Sequence, residues 1–303
     1  MTTDKDRLRG AFLVLLAGMC WGTTGTLQAF APAGAPPLTI GAVRIVVSGS
    51  LMLAWFAFRP GGLLFLRKLD AGALLISVAG MMGFQFAFFT ALKLTGVSVG
   101  TMIAIGLSPV FAGCLGALAE KEPLSGRWAL STAVAVFGCA LLILGGNSGE
   151  SAVHPAGAVL ALSAAFFYAL MGLGLKRQGT FLSSTEATAA TTGAAILVGL
   201  PVLLLLDSSW IFTSRGAAVA LSLGFFTMAF PMCLFIVGLG KIFLRDAYTI
   251  SLAEPLTACV LSALLLGERL SPASIAGAVL IMGGILLLPV AREEIREKPG
   301  VRG

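Results

Sequence analysis

Two charged side chains stand deep inside apolar stretches of the chain, where a charge is costly. Glu254 directly precedes Pro255 in the stretch 246–267, and Arg44 stands within 37–58. Glu254 comes about eight residues into its stretch, which is roughly 12 Å along a helix that rises 1.5 Å per residue. An ionisable residue at such a depth needs the interior of a helix bundle, water or a charged partner. Glu254 could hold an ammonium group, carry a proton, or stay neutral and bond to opened backbone.

Aromatic side chains occupy matching central positions of two apolar stretches. Trp21 stands about ten residues into the first stretch, and Tyr168 follows 147 residues later in the sixth. The pair could form the walls of a pocket for planar or apolar groups, or could pack between helices with their polar atoms bonded to a neighbour. Tyr248 lies nearer the end of its stretch, where a place at the membrane surface is the alternative. Neutral polar groups predicted to line the same centre, or to bond between helices, are Thr24, Gln85, Thr101 and Ser251.

One pattern of an enzyme active site occurs in the chain. GVSVG at 96–100 matches the turn that presents a nucleophilic serine, here Ser98, and His154 is the single histidine. That turn must join a strand to a helix, whereas these residues join two apolar stretches, and no companion acid accompanies His154. The chain also has no HExxH motif and no phosphate-binding loop. We therefore expect no metal site, no ATP site and no other cofactor.

The composition is that of an integral membrane protein. Of the 303 residues, 57% are apolar and 11% are charged, against about 25% charged in a soluble domain. A spanning helix needs about 20 mostly apolar residues, and the chain offers ten such segments. They are 11–30, 37–58, 71–92, 97–118, 127–145, 155–175, 184–206, 214–238, 246–267 and 272–290. The prediction is an all-α fold of ten transmembrane helices, with the lipid bilayer as its surroundings.

The basic residues indicate the orientation of these helices. All of the 20 lysines and arginines lie in the terminal segments or in alternate loops, except Lys93, Arg215, Arg269 and the buried Arg44. Lysine and arginine concentrate in cytoplasmic loops, so both termini are predicted in the cytoplasm. The net charge of +6 follows from this bias, and we expect no nucleic-acid partner. A cleaved signal peptide is disfavoured, because Pro32 would follow the cleavage site and an odd number of helices would remain.

The chain repeats itself at an offset of 146 residues. SPVFAGCLGALAEKEPLS, from Ser108, aligns with EPLTACVLSALLLGERLS, from Glu254, so that Pro109 matches Pro255 and Glu122 matches Glu268. The sequence therefore predicts two halves, 1–150 and 151–303, of five helices each. Because five is odd, the second half enters the membrane in the opposite sense, which gives the inverted repeat of secondary transporters.

The matched prolines predict breaks in the fourth and ninth helices. Proline removes a helix hydrogen bond and leaves a carbonyl four residues earlier without its donor, here the carbonyls of Ile105 and Ser251. Matching breaks in two inverted halves indicate a substrate site near the middle of the membrane. A simple packing kink is the alternative. We expect Pro109 and Pro255 to expose backbone to a central cavity. We expect Arg44 to extend outward to the membrane surface or to bond helix-end carbonyls between the halves, rather than to bind substrate.

These features together resemble a known family. Two five-helix halves, Arg44 in the second helix, Ser-Pro-Val-Phe at 108–111, Glu-Pro-Leu-Thr at 254–257, and the helix-ending Glu122 and Glu268 are similar to the drug/metabolite transporter superfamily in its ten-helix EamA-type form. Leu-Thr after Pro255 departs from the aliphatic-aromatic pair of that pattern. The resemblance implies a bacterial inner-membrane exporter of small metabolites that works by alternating access. Within the family, the pattern is most similar to exporters of amino acids, aromatic ones included.

Overall fold

The fold consists of helices joined by short connections. The computed structural model describes residues 3–32, 34–59, 61–95, 97–145, 154–265 and 270–288, and every regular element in these ranges is helical. The helices are α1 (Asp4–Gly22), α2 (Thr24–Ala29), α3 (Pro37–Ala57), α4 (Ala71–Thr95), α5 (Val97–Gly106), α6 (Ser108–Glu120), α7 (Gly126–Gly145), α8 (Pro155–Gln178), α9 (Ser184–Leu205), α10 (Ser214–Gly224), α11 (Phe230–Leu239), α12 (Leu244–Ile250), α13 (Ala253–Leu265) and α14 (Pro272–Leu287). Over these ranges the predicted all-α class is confirmed.

Nine spans within the described ranges are long and apolar enough to cross a membrane. They include Asp4–Ala29, Val99–Glu120, Ser214–Leu239 and Leu244–Leu265, each built from two consecutive helices. Pro272–Leu287 is also apolar but has only 16 residues, fewer than the roughly 20 that a span needs. The protein is therefore a multi-pass membrane protein. The tenth predicted segment runs to residue 290, outside the described ranges, so the count of ten stays a prediction.

Small residues bring α1 against the broken ninth span. A Cβ atom at Gly22 would stand 2.6 Å from the carbonyl oxygen of Glu254, and one at Gly18 would stand 3.5 Å from the Cα atom of Ser251. Lipid offers no hydrophobic force to join helices, so close contact through small side chains supplies much of the packing energy. The backbone of α1 thus lies directly on the turn that carries Glu254.

Four spans are interrupted along their length. Thr23 separates α1 from α2, Leu107 separates α5 from α6, and two residues separate α12 from α13. The fourth interruption is a π-helical turn at Phe225–Ala229, between α10 and α11. The predicted breaks in the fourth and ninth helices are present, two residues before Pro109 and three residues before Pro255.

The prediction that these breaks expose backbone carbonyls is wrong. The Ser108 hydroxyl donates to the carbonyl of Ile105 at 2.7 Å. At the other break, the backbone N–H of Glu254 donates to the carbonyl of Ser251 at 2.9 Å. A nearby hydroxyl and a tighter turn replace the bonds that the prolines remove, since an unpaired carbonyl in lipid costs several kcal/mol. The side chain of Glu254 takes no part in closing the break and can bond to other helices.

Candidate functional site

Glu254 joins α13 to α8 near the middle of the bundle. It lies in the first turn of α13 and is partly buried. Its carboxyl group lies within electrostatic range of the Tyr168 side chain of α8 and of Arg44 of α3. The start of a helix carries partial positive charge, which favours an acidic residue in this position. Two of the residues singled out from the sequence, Glu254 and Tyr168, are therefore close to each other.

Aromatic rings surround Tyr168. The ring of Tyr168 lies 6.2 Å from that of Trp21, 4.8 Å from that of Tyr248 and 5.0 Å from that of Phe84, measured between centroids. Phe235 completes the group at 5.1 Å from Trp21 and 5.7 Å from Tyr248. These are edge-to-face or tilted contacts of the kind that stabilise aromatic pairs beyond their burial. We call these five residues the aromatic cluster.

Tyr248 belongs to the interior and not to the membrane surface. Its side chain is fully buried, and its hydroxyl donates to the backbone carbonyl of Tyr168. Gly172, one turn along α8, makes this approach possible, because a Cβ atom there would stand 2.5 Å from the Tyr248 hydroxyl oxygen. The alternative of a surface position for Tyr248 is therefore wrong.

Arg44 connects α3 to the π-helical turn of the eighth span. Its Nε donates to the hydroxyl of Thr227 at 3.0 Å, and its Nη2 donates to the carbonyl of the same residue at 3.0 Å. A π-helical turn disturbs the regular hydrogen-bond ladder and occurs frequently at functional sites. Arg44 thus bonds a carbonyl of the other predicted half, as expected, but this carbonyl lies within a π-helical turn and not at a helix end.

Three of the neutral polar residues singled out from the sequence are Thr24, Ser251 and Thr101. The hydroxyl of Thr24 donates to the Trp21 carbonyl at 2.6 Å, and that of Ser251 donates to the Ala247 carbonyl at 2.9 Å, so both bond within their own spans. Thr101 is partly buried on α5.

Gln85 does not join the aromatic cluster. Its Nε2 donates to the Gly41 carbonyl at 3.4 Å, and its side chain lines a small apolar cavity of about 30 Å³ between α3, α4 and α9. Successive residues on a helix point about 100° apart, so Gln85 faces this cavity while its neighbour Phe84 contacts Tyr168. The expectation that Gln85 lines the same centre is wrong.

A second polar group ties three spans together at the end of the bundle where α1 begins. Glu122, just past α6, is buried and accepts hydrogen bonds from the backbone N–H of Leu244 at 3.0 and 2.9 Å. The Lys176 ammonium of α8 also donates to Glu122, and to the Ile242 carbonyl at 3.3 Å. We call the contacts of Glu122 with Lys176 and Leu244 the end lock. It connects the ends of α6 and α8 to the start of α12.

The comparisons with known proteins decide the family. The sequence profile of the EamA-like transporter family matches twice, over residues 8–144 and 155–289. The chain belongs to the EamA-like transporter family. The resemblance drawn from Arg44, the two proline motifs and the repeated glutamate is thereby confirmed.

Several proteins are similar to this EamA-like chain along nearly its whole length. The uncharacterized transporter YwfM of Bacillus subtilis (strain 168) is 36% identical over 93% of this chain and 94% of its own. A probable amino-acid metabolite efflux pump of Salmonella typhimurium is 27% identical over 92% and 94%. The threonine/homoserine exporter RhtA of Escherichia coli (strain K12) is 27% identical over 86% and 83%. A crystal structure of another protein has the same fold, with a TM-score of 0.78 over 92% of this chain and 95% of that one at 20% identity.

The enzyme motif lies in an EamA-like chain whose named relatives are transporters. Residues 97–100 begin α5, so the strand-to-helix turn that a nucleophilic serine requires is not formed by the described part of GVSVG. Gly96 and the side chain of Ser98 lie outside what the structure describes. His154 is exposed at the residue before α8.

Sequence reasoning did not find Thr227, Phe235 or the end lock. Thr227 sits in FFTMA, which carries no proline or glycine to mark a π-helical turn. Glu122 attracted attention as a repeated residue and Lys176 as a basic residue of one membrane side. Both residues were predicted on the same side of the membrane, which is the one feature of the sequence that could have suggested their contact. Choosing this pair among several acidic and basic residues requires knowledge of the helix packing.

Proposed function

We propose that this EamA-like protein is a secondary transporter that exports amino acids, aromatic ones included, by alternating access. Its family membership and the names of its relatives support this proposal. In the proposed architecture, ten helices form two inverted halves, 1–150 and 151–303, with both termini in the cytoplasm and the protein in the bacterial inner membrane. The two separate profile matches favour such halves, since each covers most of one predicted half.

The observation that carries the proposed site is the proximity of Glu254 to Tyr168, whose ring belongs to the aromatic cluster. It brings a carboxylate beside a helix break close to a helix of the same half, and the Trp21 ring of the other half contacts the Tyr168 ring. In the substrate-bound state, Glu254 receives the ammonium group, and the start of α13 and Arg44 lie near the carboxylate of the zwitterion. Trp21, Tyr168 and Tyr248 contact the substrate side chain.

In this structure aromatic side chains occupy the position of the proposed cavity, so the site must open during the cycle. Trp21, Tyr168 and Tyr248 are all buried. Thr24, Thr101 and Ser251 supply hydroxyl groups that can exchange their bonds within the spans for bonds to substrate. The glycine contact of α1 with the turn before Glu254 gives a place where the two halves can move against each other.

Counterflow in liposomes tests the proposal. Purified protein is reconstituted in vesicles loaded with an unlabelled amino acid, and uptake of labelled threonine, homoserine, phenylalanine and tryptophan is measured with and without a pH gradient. We expect saturable exchange of a subset, lost in Glu254→Gln and retained in Glu120→Gln, whose carboxylate pairs with Arg177 at the end of the bundle. A rate that follows the pH gradient in wild type assigns a coupling proton to the cycle.

Other results would replace this function by another. Uptake that needs no internal substrate and does not saturate would indicate a channel. Absence of exchange for every amino acid, from protein that elutes as one folded species, would discard the amino-acid substrate. Turnover of a lipid that depends on Ser98 or His154 would indicate an intramembrane enzyme.

A further inference from the structure

A cavity of about 160 Å³ lies at the end of the bundle where α1 begins. It is formed by the start of α1, the end of α8, and the connection from α11 to α12. Its volume exceeds the space of a single water several times over, so it has room for a small organic ligand. The proposed topology places this cavity at the cytoplasmic face, where an exporter receives its substrate.

The lining of the cavity carries charges of both signs. Arg7, Lys176 and Lys241 are its cations, and Asp246 is its carboxylate. Lys241 pairs with Asp6 at 3.6 Å, and Asp246 with Arg245 at 3.4 Å. Three cations favour a ligand with a carboxylate, and the buried Asp246 favours a cationic group beside it. An α-amino acid carries these two charges on an ammonium group and a carboxylate group attached to the same carbon atom.

One lining cation also belongs to the end lock. Lys176 lines the cavity while its ammonium group is bonded to Glu122, and Glu122 in turn accepts from the backbone N–H of Leu244. A ligand carboxylate that bonds to Lys176 competes with Glu122 for the same ammonium group. Loss of that ion pair leaves Glu122 buried with fewer partners, which favours separation of α6 from α8 and α12.

We propose that this cavity is the reception site for the zwitterionic head of the exported amino acid, and that the substrate carboxylate releases the end lock by displacing Glu122 from Lys176. The substrate ammonium group pairs with Asp246. Occupation of the site therefore triggers the opening that leads towards the aromatic cluster. This inference rests on the proposed function, because it takes the substrate to be an amino acid that arrives from the cytoplasm.

A cysteine at Gly240 reports on ligand in the cavity. Gly240 lines it, is exposed, and has room for a Cβ atom, whose nearest contact would be the Val237 carbonyl oxygen at 3.5 Å. The reporter is built in full-length protein after replacement of its five cysteines, which are all free thiols. Labelling by a membrane-impermeant maleimide is followed in inside-out and right-side-out vesicles.

We expect labelling in inside-out vesicles, slowed by whichever amino acid gives the fastest exchange in wild type. The methyl ester of that amino acid lacks the carboxylate, and its N-acetyl derivative lacks the ammonium group. Each should protect Gly240→Cys at least about tenfold less well, because each loses one charge-assisted bond. This arm needs no change in the end lock, so it does not depend on the folding of a lock variant.

Two variants of neighbouring residues then test the lock. Lys176→Met should lower protection by the amino acid about tenfold or more, while Glu122→Gln should raise it, because Lys176 no longer has a carboxylate competitor. Arg177→Met is the matched control, since Arg177 follows Lys176 on α8 but pairs with Glu120 at 2.8 Å outside the cavity lining. In this control variant, the amino acid should protect Gly240→Cys as well as it does in the parent protein.

The outcomes separate this inference from the function on which it rests. Exchange in liposomes without protection of Gly240→Cys, or with equal protection by the methyl ester, overturns the reception site and leaves the exporter standing. If Lys176→Met and Arg177→Met reduce protection equally, the proposed role of the end lock is overturned. No exchange for any amino acid overturns the exporter, and the reception site with it.

Discussion

The fourth and ninth spans break at matching places but use the residue before the proline differently. Ser108 stands before Pro109 and bonds to the carbonyl of Ile105 in its own span. Glu254 stands before Pro255, and its backbone N–H closes the break, so its side chain reaches Tyr168 on another helix. Both interruptions are thus repaired locally, but a side chain closes the break in one half, whereas in the other the backbone closes it and the carboxylate lies towards another helix. A repeat in sequence does not imply equal roles for its two copies.

Exchanging the residues that precede the two prolines, Ser108 and Glu254, should show most clearly how the two breaks differ. Ser108→Glu places a carboxylate at a fully buried position, where we expect a loss of about 3 kcal/mol or more of folding free energy. The variant should yield little monodisperse protein in size-exclusion chromatography in detergent, while Ser108→Thr, which keeps a hydroxyl, should behave as wild type. A well-folded Ser108→Glu whose glutamate restores exchange to Glu254→Ser would contradict the assigned difference.

Glu254→Ser copies the fourth break into the ninth and should affect transport more than folding. The serine can repair the backbone as Ser108 does, but the group proposed to bind the substrate ammonium is lost. We expect exchange to fall about a hundredfold or more, since a buried charge partner is worth several kcal/mol. Counterflow in liposomes measures the rate, and thermal unfolding in detergent should shift by only a few degrees. A variant that transports normally would show that Glu254 serves structure alone.

Tyr168→Phe tests the partner that the ninth break acquires. The ring stays in the aromatic cluster while the hydroxyl close to Glu254 is lost, so we expect about a tenfold loss of exchange, the effect of one bond to a charged group. Tyr248→Phe is the comparison, because its hydroxyl serves the backbone carbonyl of Tyr168. Tyr248→Phe should lower thermal stability, and it should change the apparent KM less than Tyr168→Phe does. The reverse pattern would assign Glu254 to a structural bond and Tyr248 to the substrate.

Most of the fold follows from the sequence because the bilayer restricts the choices. Spans such as Ala71–Thr95 and Gly126–Gly145 lie within a few residues of the predicted segments, since apolar length is set by the membrane thickness. A close helix contact at Gly18 and Gly22 could also be anticipated from residue size, although the ninth span as the partner could not. The repair of the Ile105 and Ser251 carbonyls could not, because it depends on local backbone angles that proline alone does not fix.

The site is predictable only in part because it depends on the rotation and pairing of helices. Trp21, Tyr168, Tyr248 and Glu254 come together because they occupy similar depths and face the interior. Gln85 has a similar depth but the wrong rotation. Arg44 and Thr227 are 183 residues apart, and no spacing rule relates a helical arginine to a π-helical turn in another span. Depth is therefore readable from the sequence, whereas the choice of neighbour is not.

Ser108→Ala should have the smallest effect and tests the local repair directly. The substitution removes the hydroxyl that bonds to the Ile105 carbonyl and leaves that acceptor buried. We expect a loss of about 1 kcal/mol of stability, visible as a small fall in the thermal midpoint in detergent, with exchange within about twofold of wild type. Val110→Ala, at an exposed position two residues later, controls for the loss of side-chain volume. A severe loss of exchange in Ser108→Ala, at unchanged stability, would place Ser108 in the transport site and make the two breaks equivalent in function after all.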